Sequence, residues 1–401
     1  MLKRILFVDD EPNLLMGLQR SMRPMRAEWE MEFVSSGEEA LQAMARNPFD
    51  MVVTDMRMPG MTGAELLEKI QQRYPQTIRI VLSGQSDRES IVRSSATAHQ
   101  FLSKPCDPEK LKLLLARTVA LTNLLQNAGL KKFVSQLKCI PSLPSIYHEV
   151  TAELRSADPS SLRIGQIIAK DMGMTAKILQ MVNSAVYGVR GEISEPGQAV
   201  LILGMETIQA MVLSLSILAA FDPRGLSVEE ADWLWEHSLI CSRFSRAIAK
   251  SQGISGRELD PFQSAGLLHD VGKIVIASAD PKTYRRIQDI ATETETRPWH
   301  VENELLGCNH AEIGAYLLGI WGLPTLIVEA VAWHHHPSES PVTEFSTLTA
   351  VHAASSLHAQ MHPEFRQGNP EMDEVFLERV GMAERKSEWM RCCKTEVGEG
   401  V

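Results

Sequence analysis

The sequence predicts an α/β doubly wound five-stranded parallel sheet over its first 121 residues, followed by an all-α helical domain. Three observations carry this expectation. Short apolar runs alternate with helix-period stretches as far as about residue 121. The strand signal then vanishes. From about residue 144 to 385, one helical pattern follows another without period-two alternation or internal repeat.

The strand patterns fall at Arg4–Val8, Met31–Val34, Met51–Thr54, Ile78–Leu82 and Gln100–Leu102. Helical patterns lie between and after them, at Asn13–Met22, Glu38–Arg46, Ala64–Tyr74, Arg88–Ala96 and Pro108–Leu121, with Ser36 a candidate helix cap. Five βα units of this length require a parallel sheet covered on both faces, and right-handed crossovers favour the order 2-1-3-4-5. Leu111–Leu125 contains no Gly or Pro and predicts a linker helix that ends near Gly129. In the second half, Asp260-Pro261 offers a cap followed by Pro at the first helical position, and Pro337 ends the helix begun after Pro324.

A chain of 401 residues with 44% hydrophobic content can bury two or three cores. Its net charge of -10 argues against a general nucleic-acid surface. The longest strongly apolar stretch, Met211–Phe221, is too short to span a bilayer, and the acidic Asp9-Asp10-Glu11 excludes a signal peptide, so a cytoplasmic protein is expected. The six cysteines form no CxxC pair and predict reduced, mostly buried thiols.

Ligands of an open α/β sheet bind at the carboxyl ends of its strands. There the first strand ends in Asp9-Asp10, the third in Asp55 within Val-Val-Thr-Asp-Met-Arg-Met-Pro-Gly, the fourth in Ser83-Gly84, and the fifth is followed by Lys104-Pro105. Each alone reads as a solvated loop residue, but agreement of all these strand ends by chance is improbable. Clustered carboxylates repel unless a cation sits among them, and oxygen-only ligands suit Mg²⁺. Lys104 and Ser83 could hold phosphoryl oxygens, while the central Asp55 attacks phosphorus.

These residues resemble the receiver domain of response regulators without a break over 1–121, a flavodoxin-like fold. The resemblance implies Asp9, Asp10, Asp55 and the Arg57 backbone carbonyl as Mg²⁺ ligands, Asp55 as phosphoacceptor, Ser83 and Phe101 as a switch pair, and a sensor histidine kinase as phosphodonor. The face formed by the helix at Arg88–Ala96, the fifth strand and the helix at Pro108–Leu121 would carry a phosphorylation-sensitive homodimer or interdomain contact.

All histidines but His99 lie beyond residue 140. His237 shares a helical stripe with Trp233, Ile240 and Phe244; His269-Asp270 form a dyad; His310 precedes the amphipathic helix Ala311–Ile320; His334 and His335 continue the stripes of Ile327, Val328 and Val331. A single inward histidine is usually a hydrogen-bonded core residue. A dyad with several further inward imidazoles is what a transition metal (Fe, Mn or Zn) would require.

The order His237, His269-Asp270, His310, His334-His335 resembles the HD phosphohydrolase superfamily. More closely, residues 136–340 look like its HDOD relative, through Leu143-Pro144-Ser145, Asn183-Ser184, Ala199–Gly204 and the Trp321–Pro324 turn. Met172 departs from the family's common Pro. Ser355 stands where the superfamily's last metal-binding Asp would fall, and His336-Pro337-Ser338 replaces the Gly-Tyr-Pro element of cyclic-di-GMP hydrolases. The expected plan is a receiver at 1–121, a linker helix at 122–135, an HD/HDOD-type helical domain at 136–385 and a disordered tail at 386–401. The resemblance implies a response regulator whose output is interaction with a downstream signalling protein. A receiver-gated, metal-dependent phosphodiesterase acting on a cyclic nucleotide or dinucleotide is the alternative.

Overall fold

A computed structural model describes residues 3–83, 97–104, 109, 111–112, 115, 128–136, 145–156, 158–182, 193–220, 226–362 and 371–397. The predicted sheet is present. Strands β1 (Lys3–Val8), β2 (Trp29–Val34), β3 (Met51–Asp55), β4 (Ile78–Ser83) and β5 (Gln100–Ser103) are parallel, in the order β2-β1-β3-β4-β5. Ile5 through Val8 on β1 and Met51 through Val53 on β3 are all buried, as central strands covered on both faces require. Helices α1 (Pro12–Ser21), α2 (Gly37–Arg46) and α3 (Gly63–Arg73) connect the first four strands.

Local chemistry fixes the helix starts. The Ser36 side chain accepts the Glu39 amide at α2, and Thr62 and Glu65 cap each other at α3. Both helices then lay apolar stripes on the sheet, where Ala40, Ala43, Met44, Leu66, Leu67 and Ile70 meet Leu6, Val8, Val52 and Val81. Full burial of each larger side chain contributes about 1.5–3 kcal/mol. Gly63 is required by close approach: a Cβ there would lie 2.0 Å from the Asp55 carbonyl oxygen. The start of α3 thus sits directly against the end of β3. The predicted helix at Arg88–Ala96, and most of that at Pro108–Leu121, lie outside the described residues.

Past β5 every described regular element is helical. These are α4 (Ala128–Gln136), α5 (Ser145–Leu154), α6 (Ser161–Ile168), α7 (Met172–Val182), α8 (Pro196–Leu203) and α9 (Met205–Ala220). Then come α10 (Val228–Ser251), α11 (Asp260–Leu268), α12 (Val271–Ala279), α13 (Pro281–Glu293), α14 (Pro298–Leu306) and α15 (His310–Ile320). The last are α16 (Thr325–Trp333), α17 (Thr347–Met361), α18 (Glu374–Arg379) and α19 (Lys386–Glu396), with short 3-10 turns between some of them. The chain forms two compact units, residues 1–126, 131–145 and 317–322 in one and residues 127–130, 146–316 and 323–401 in the other.

The long α10 organises the second unit, packing against α11, α17 and α19. Two glycines allow backbones to meet. A Cβ on Gly266 would lie 2.7 Å from the Cys241 carbonyl oxygen, so α11 presses onto α10. A Cβ on Gly272 would lie 1.9 Å from the His310 carbonyl oxygen, so α12 presses onto the start of α15.

Three expectations are corrected. The segment from 386 is not a disordered tail up to its last described residues: α19 buries Trp389 and Cys393 completely, and Arg243 of α10 bonds the Glu396 carbonyl. Few apolar residues suffice there because the two lie four apart, on one helical stripe. Gly129 does not end a helix but stands in the first turn of α4, where a Cβ would lie 2.0 Å from the Gly307 carbonyl oxygen. The linker's residues 121–127 lie outside the described residues. Asp260 is the first helical residue, and the cap position falls on Leu259.

Candidate phosphoacceptor and metal sites

At the carboxyl edge of the sheet, Asp9, Asp10 and Asp55 each place a carboxylate oxygen within 4.8 Å of the others. Asp9 and Asp55 are buried. The Lys104 ammonium bridges them, 2.8 Å from Asp9 Oδ2 and 2.6 Å from Asp55 Oδ1. Burial alone would lower the Lys104 pKa, but its bonds to Asp55 and Asp9 hold it above the ordinary lysine value. The Glu11 amide donates to Asp9 Oδ1 and the Arg57 amide to Asp55 Oδ2, so backbone donors aim both carboxylates. Ser83 ends β4 in register with Ser103, next to Lys104, and Phe101 pairs with Val81 on β5. The side chains of Ser83 and Phe101, and the Arg57 carbonyl's role, lie beyond what is described. Four anionic or cationic groups predicted from strand ends therefore meet in one pocket.

In the helical domain, Asp270 is the hub. It follows His269 at the junction of α11 and α12, and both are buried. His310 Nε2 lies 3.1 Å and His334 Nε2 3.7 Å from Asp270 Oδ1. His237 Nε2 and His269 Nε2 each lie 3.5 Å from Oδ2, which also takes the Lys273 ammonium at 2.7 Å. His335 Nε2 stands 2.9 Å from His310 Nε2. All six predicted residues of this cluster are thus brought together.

The outer nitrogens fix the tautomers. His269 Nδ1 donates to the Gly266 carbonyl at 2.8 Å, and His334 Nδ1 to the Val331 carbonyl at 2.9 Å, because a carbonyl can only accept. His310 Nδ1 faces Glu302, which is buried and also accepts the His310 amide at 2.7 Å. In the neutral rings, the Nε2 lone pairs of His269 and His334 therefore point at a carboxylate. Asp270 Oδ1 and His334 Nε2 are buried without a well-aligned hydrogen bond. Converging acceptors of this kind call for a cation, and imidazoles held through their second nitrogen are a usual metal-ligand arrangement.

Charge regulation agrees. Burial holds His237, His269, His334 and His335 below the ordinary histidine value, so these imidazoles are neutral at pH 7. Burial would also lower His310, but Glu302 and Asp270 raise it overall. Burial opposes ionisation of Asp270, yet His269, Lys273 and His310 keep its carboxyl well below the usual range.

Sequence reasoning missed four contributors. Lys273 and Cys241 sit one turn beyond Asp270 and His237, a spacing visible in the sequence. Glu302 had no local signal. His358 lies on α17, one turn past Ser355, and its Nδ1 meets His237 Nδ1 at 2.8 Å. His352 serves structure instead, through the His334 carbonyl and the Asp373 amide. As expected, the described cysteines are free, with Cys241, Cys308 and Cys393 buried.

Comparison with known proteins assigns both halves. Residues 5–116 match the response regulator receiver domain and residues 140–337 the HDOD domain. The chain is 27% identical over 221 residues to an uncharacterised protein of Treponema pallidum (strain Nichols), covering 54% of this chain and 42% of that protein. It is 37% identical over 109 residues to the hydrogenase transcriptional regulatory protein HoxA of Cupriavidus necator, covering 27% of this chain and 22% of HoxA. The chain thus spans under half the length of these curated relatives. An HDOD domain protein of unknown function from Geobacter sulfurreducens shares the fold at 22% identity and a TM-score of 0.52, over 68% of this chain and 92% of that one.

The chain belongs to the response regulators: a receiver domain followed by an HDOD domain. This pairing does not favour the phosphodiesterase alternative. Among the described residues no helix is long and apolar enough to cross a membrane.

Proposed function

We propose that Asp55 accepts a phosphoryl group from a sensor histidine kinase in the cytoplasm, and that the HDOD domain passes the signal on by binding a downstream signalling protein. An Asp55 carboxylate oxygen forms the bond to phosphorus as the bond from phosphorus to the donor imidazole breaks, its electron pair leaving with the imidazole. Mg²⁺ held by Asp9, Asp10, Asp55 and the Arg57 carbonyl would offset the charge gathering on the phosphoryl oxygens. Lys104 and Ser83 hold those oxygens, and Ser83 with Phe101 relays the change to the face that leads toward the linker, also the candidate homodimer surface.

The observation that carries this reading is the Lys104 ammonium shared by Asp9 and Asp55. A small phosphodonor with Mg²⁺ should label the wild type and leave Asp55→Ala unlabelled. Equal labelling of both would reject the assignment.

In the helical domain, Asp270, His310, His334 and His335 offer ligand atoms within 4.8 Å of one another, a set suited to one first-row transition ion. The unsatisfied Asp270 Oδ1 and His334 Nε2 support this. Such an ion would tie three helix ends together and fix the shape of the output domain. Metal analysis of protein purified without chelator should find it in the wild type, and lose it in His334→Ala.

A further inference from the structure

One helix belongs to both compact units. Residues 127–130 count with the helical unit and residues 131–145 with the unit of the sheet, so the first turn of α4 falls in one and the rest of it in the other. From Leu130 to Gln136 it contains no Gly or Pro. Such a helix is a rigid element that carries displacement from one end to the other.

The first turn rests on backbone. A Cβ on Gly129 would lie 2.0 Å from the Gly307 carbonyl oxygen and 2.6 Å from Gly307 Cα, while a Cβ on Gly307 would lie 3.1 Å from Gly129 Cα. Glycine inside a helix is unfavourable relative to alanine, and here it is what lets the two backbones touch. Gly307 stands just past α14 at φ 72°, and its amide donates to the Asn303 carbonyl at 2.9 Å.

Beyond Gly307 the chain is stiff. The Asn309 amide donates to Glu312 Oε2 at 2.9 Å, and the Glu312 amide to Asn309 Oδ1 at 3.1 Å, so the start of α15 is capped in both directions. The His310 amide donates back to Glu302 of α14 at 2.7 Å. Cys308, Asn309 and His310 are all buried. On the far side, the His310 carbonyl is pressed against Gly272 of α12. A short junction tied at both ends and packed against α12 passes a push at Gly307 on to Glu302 and His310, because it has no slack to absorb it.

We propose that the seat of Gly129 on Gly307 is where the receiver's signal enters the helical domain. This rests on the reading that phosphorylation of Asp55 controls the output domain, and it names the point of control. Phosphorylation shifts α4, Gly129 moves against Gly307, and the α14–α15 junction resets against Asp270 and α12. Helix shifts of about 1–2 Å suffice for switches of this kind.

Hydrogen exchange across residues 303–312 tests this in the full-length protein, because the amides of Gly307, Asn309 and His310 each have a defined acceptor there. Beryllofluoride with Mg²⁺, as a phosphoryl mimic, should speed exchange of this segment about fivefold or more, the lower edge of ordinary coupling between sites. Asp55→Ala should show no change. Gly129→Ala places a methyl against the Gly307 backbone, so its segment should exchange faster without the mimic and respond little to it, with Asp55 labelling by a small phosphodonor intact. Should Gly129→Ala fail to fold, the wild type and Asp55→Ala still decide. Normal labelling of wild-type Asp55 with unchanged exchange at 303–312 overturns this inference alone, as does a response that persists undiminished in Gly129→Ala. Absence of labelling in the wild type overturns the underlying reading, and this inference with it.

Discussion

In the receiver two buried carboxylates, Asp9 and Asp55, share a single ammonium, whereas in the helical domain a single carboxylate, Asp270, is surrounded by imidazoles from several helices. The first pocket gathers three carboxylates and one partly exposed ammonium at the carboxyl edge of the sheet, which suits a group that comes and goes. The second is sealed: His269, Asp270, His310 and His334 are each at most 1% exposed. A resident ion suits it better than an exchanging ligand. The scaffolds differ accordingly. Strand ends converge through the hydrogen-bonded ladder, while α12 reaches the start of α15 because Gly272 lets the backbones touch.

The comparison can be broken most forcefully at α19. Trp389 is fully buried, so Trp389→Ala should remove about 3–5 kcal/mol of stability from the helical domain. Denaturation followed by domain-specific probes should show this loss with receiver phosphorylation unchanged. Equal loss in both transitions would mean that the two pockets do not belong to separately stabilised units.

The glycine argument is sharpened by Gly272→Ala. The added methyl meets the His310 backbone, not a flexible side-chain tip, and should cost about 1–3 kcal/mol while spreading His310 away from Asp270. Metal content should fall with it. An unchanged melting temperature and metal content would show that the helices can part without disturbing the site.

The receiver's counterpart is Lys104→Met. Two buried carboxylates then face each other without their shared cation. Because Lys104 itself is partly exposed, the loss should be about 1–2 kcal/mol rather than the larger value of a sealed pair. Added Mg²⁺ should restore much of it, since it binds only the folded arrangement. Thermal melts with and without Mg²⁺ check this. A loss that Mg²⁺ leaves untouched would place the effect in packing instead of charge.

These differences also explain what could be read in advance. The receiver pocket follows from topology: once five strands are parallel and ordered, Asp9, Asp55, Ser83 and Lys104 must share one edge, so a linear pattern suffices. The helical pocket depends on which faces of distant helices meet. Stripes placed His237, His269 and His334 inward, but nothing local announced Glu302, eight residues before His310, or the turn of α17 that brings His358 rather than Ser355 to His237. In the α19 segment, average polarity hides Trp389 and Cys393, which share one buried stripe.

The finest test of the contrast is Glu302→Gln. Glu302 is fully buried and accepts both the amide and Nδ1 of His310, the one imidazole of this pocket whose basicity is raised despite burial. A glutamine keeps the shape and one acceptor oxygen but removes the charge and turns an NH₂ toward donors. The fold should lose only about 1 kcal/mol, the net scale of a single hydrogen bond. The effect on metal should be larger in proportion. A less polarised imidazole that is also less firmly oriented binds a cation less well, and loss of such an outer partner typically lowers affinity about 10–100-fold. Zinc titration of the variant measures this directly, with Asp55 labelling as the internal control. Wild-type affinity alongside reduced stability would make Glu302 a packing residue and return His310 to an ordinary core histidine. Reduced affinity with near-normal stability would show that the helical domain tunes its imidazoles for an ion.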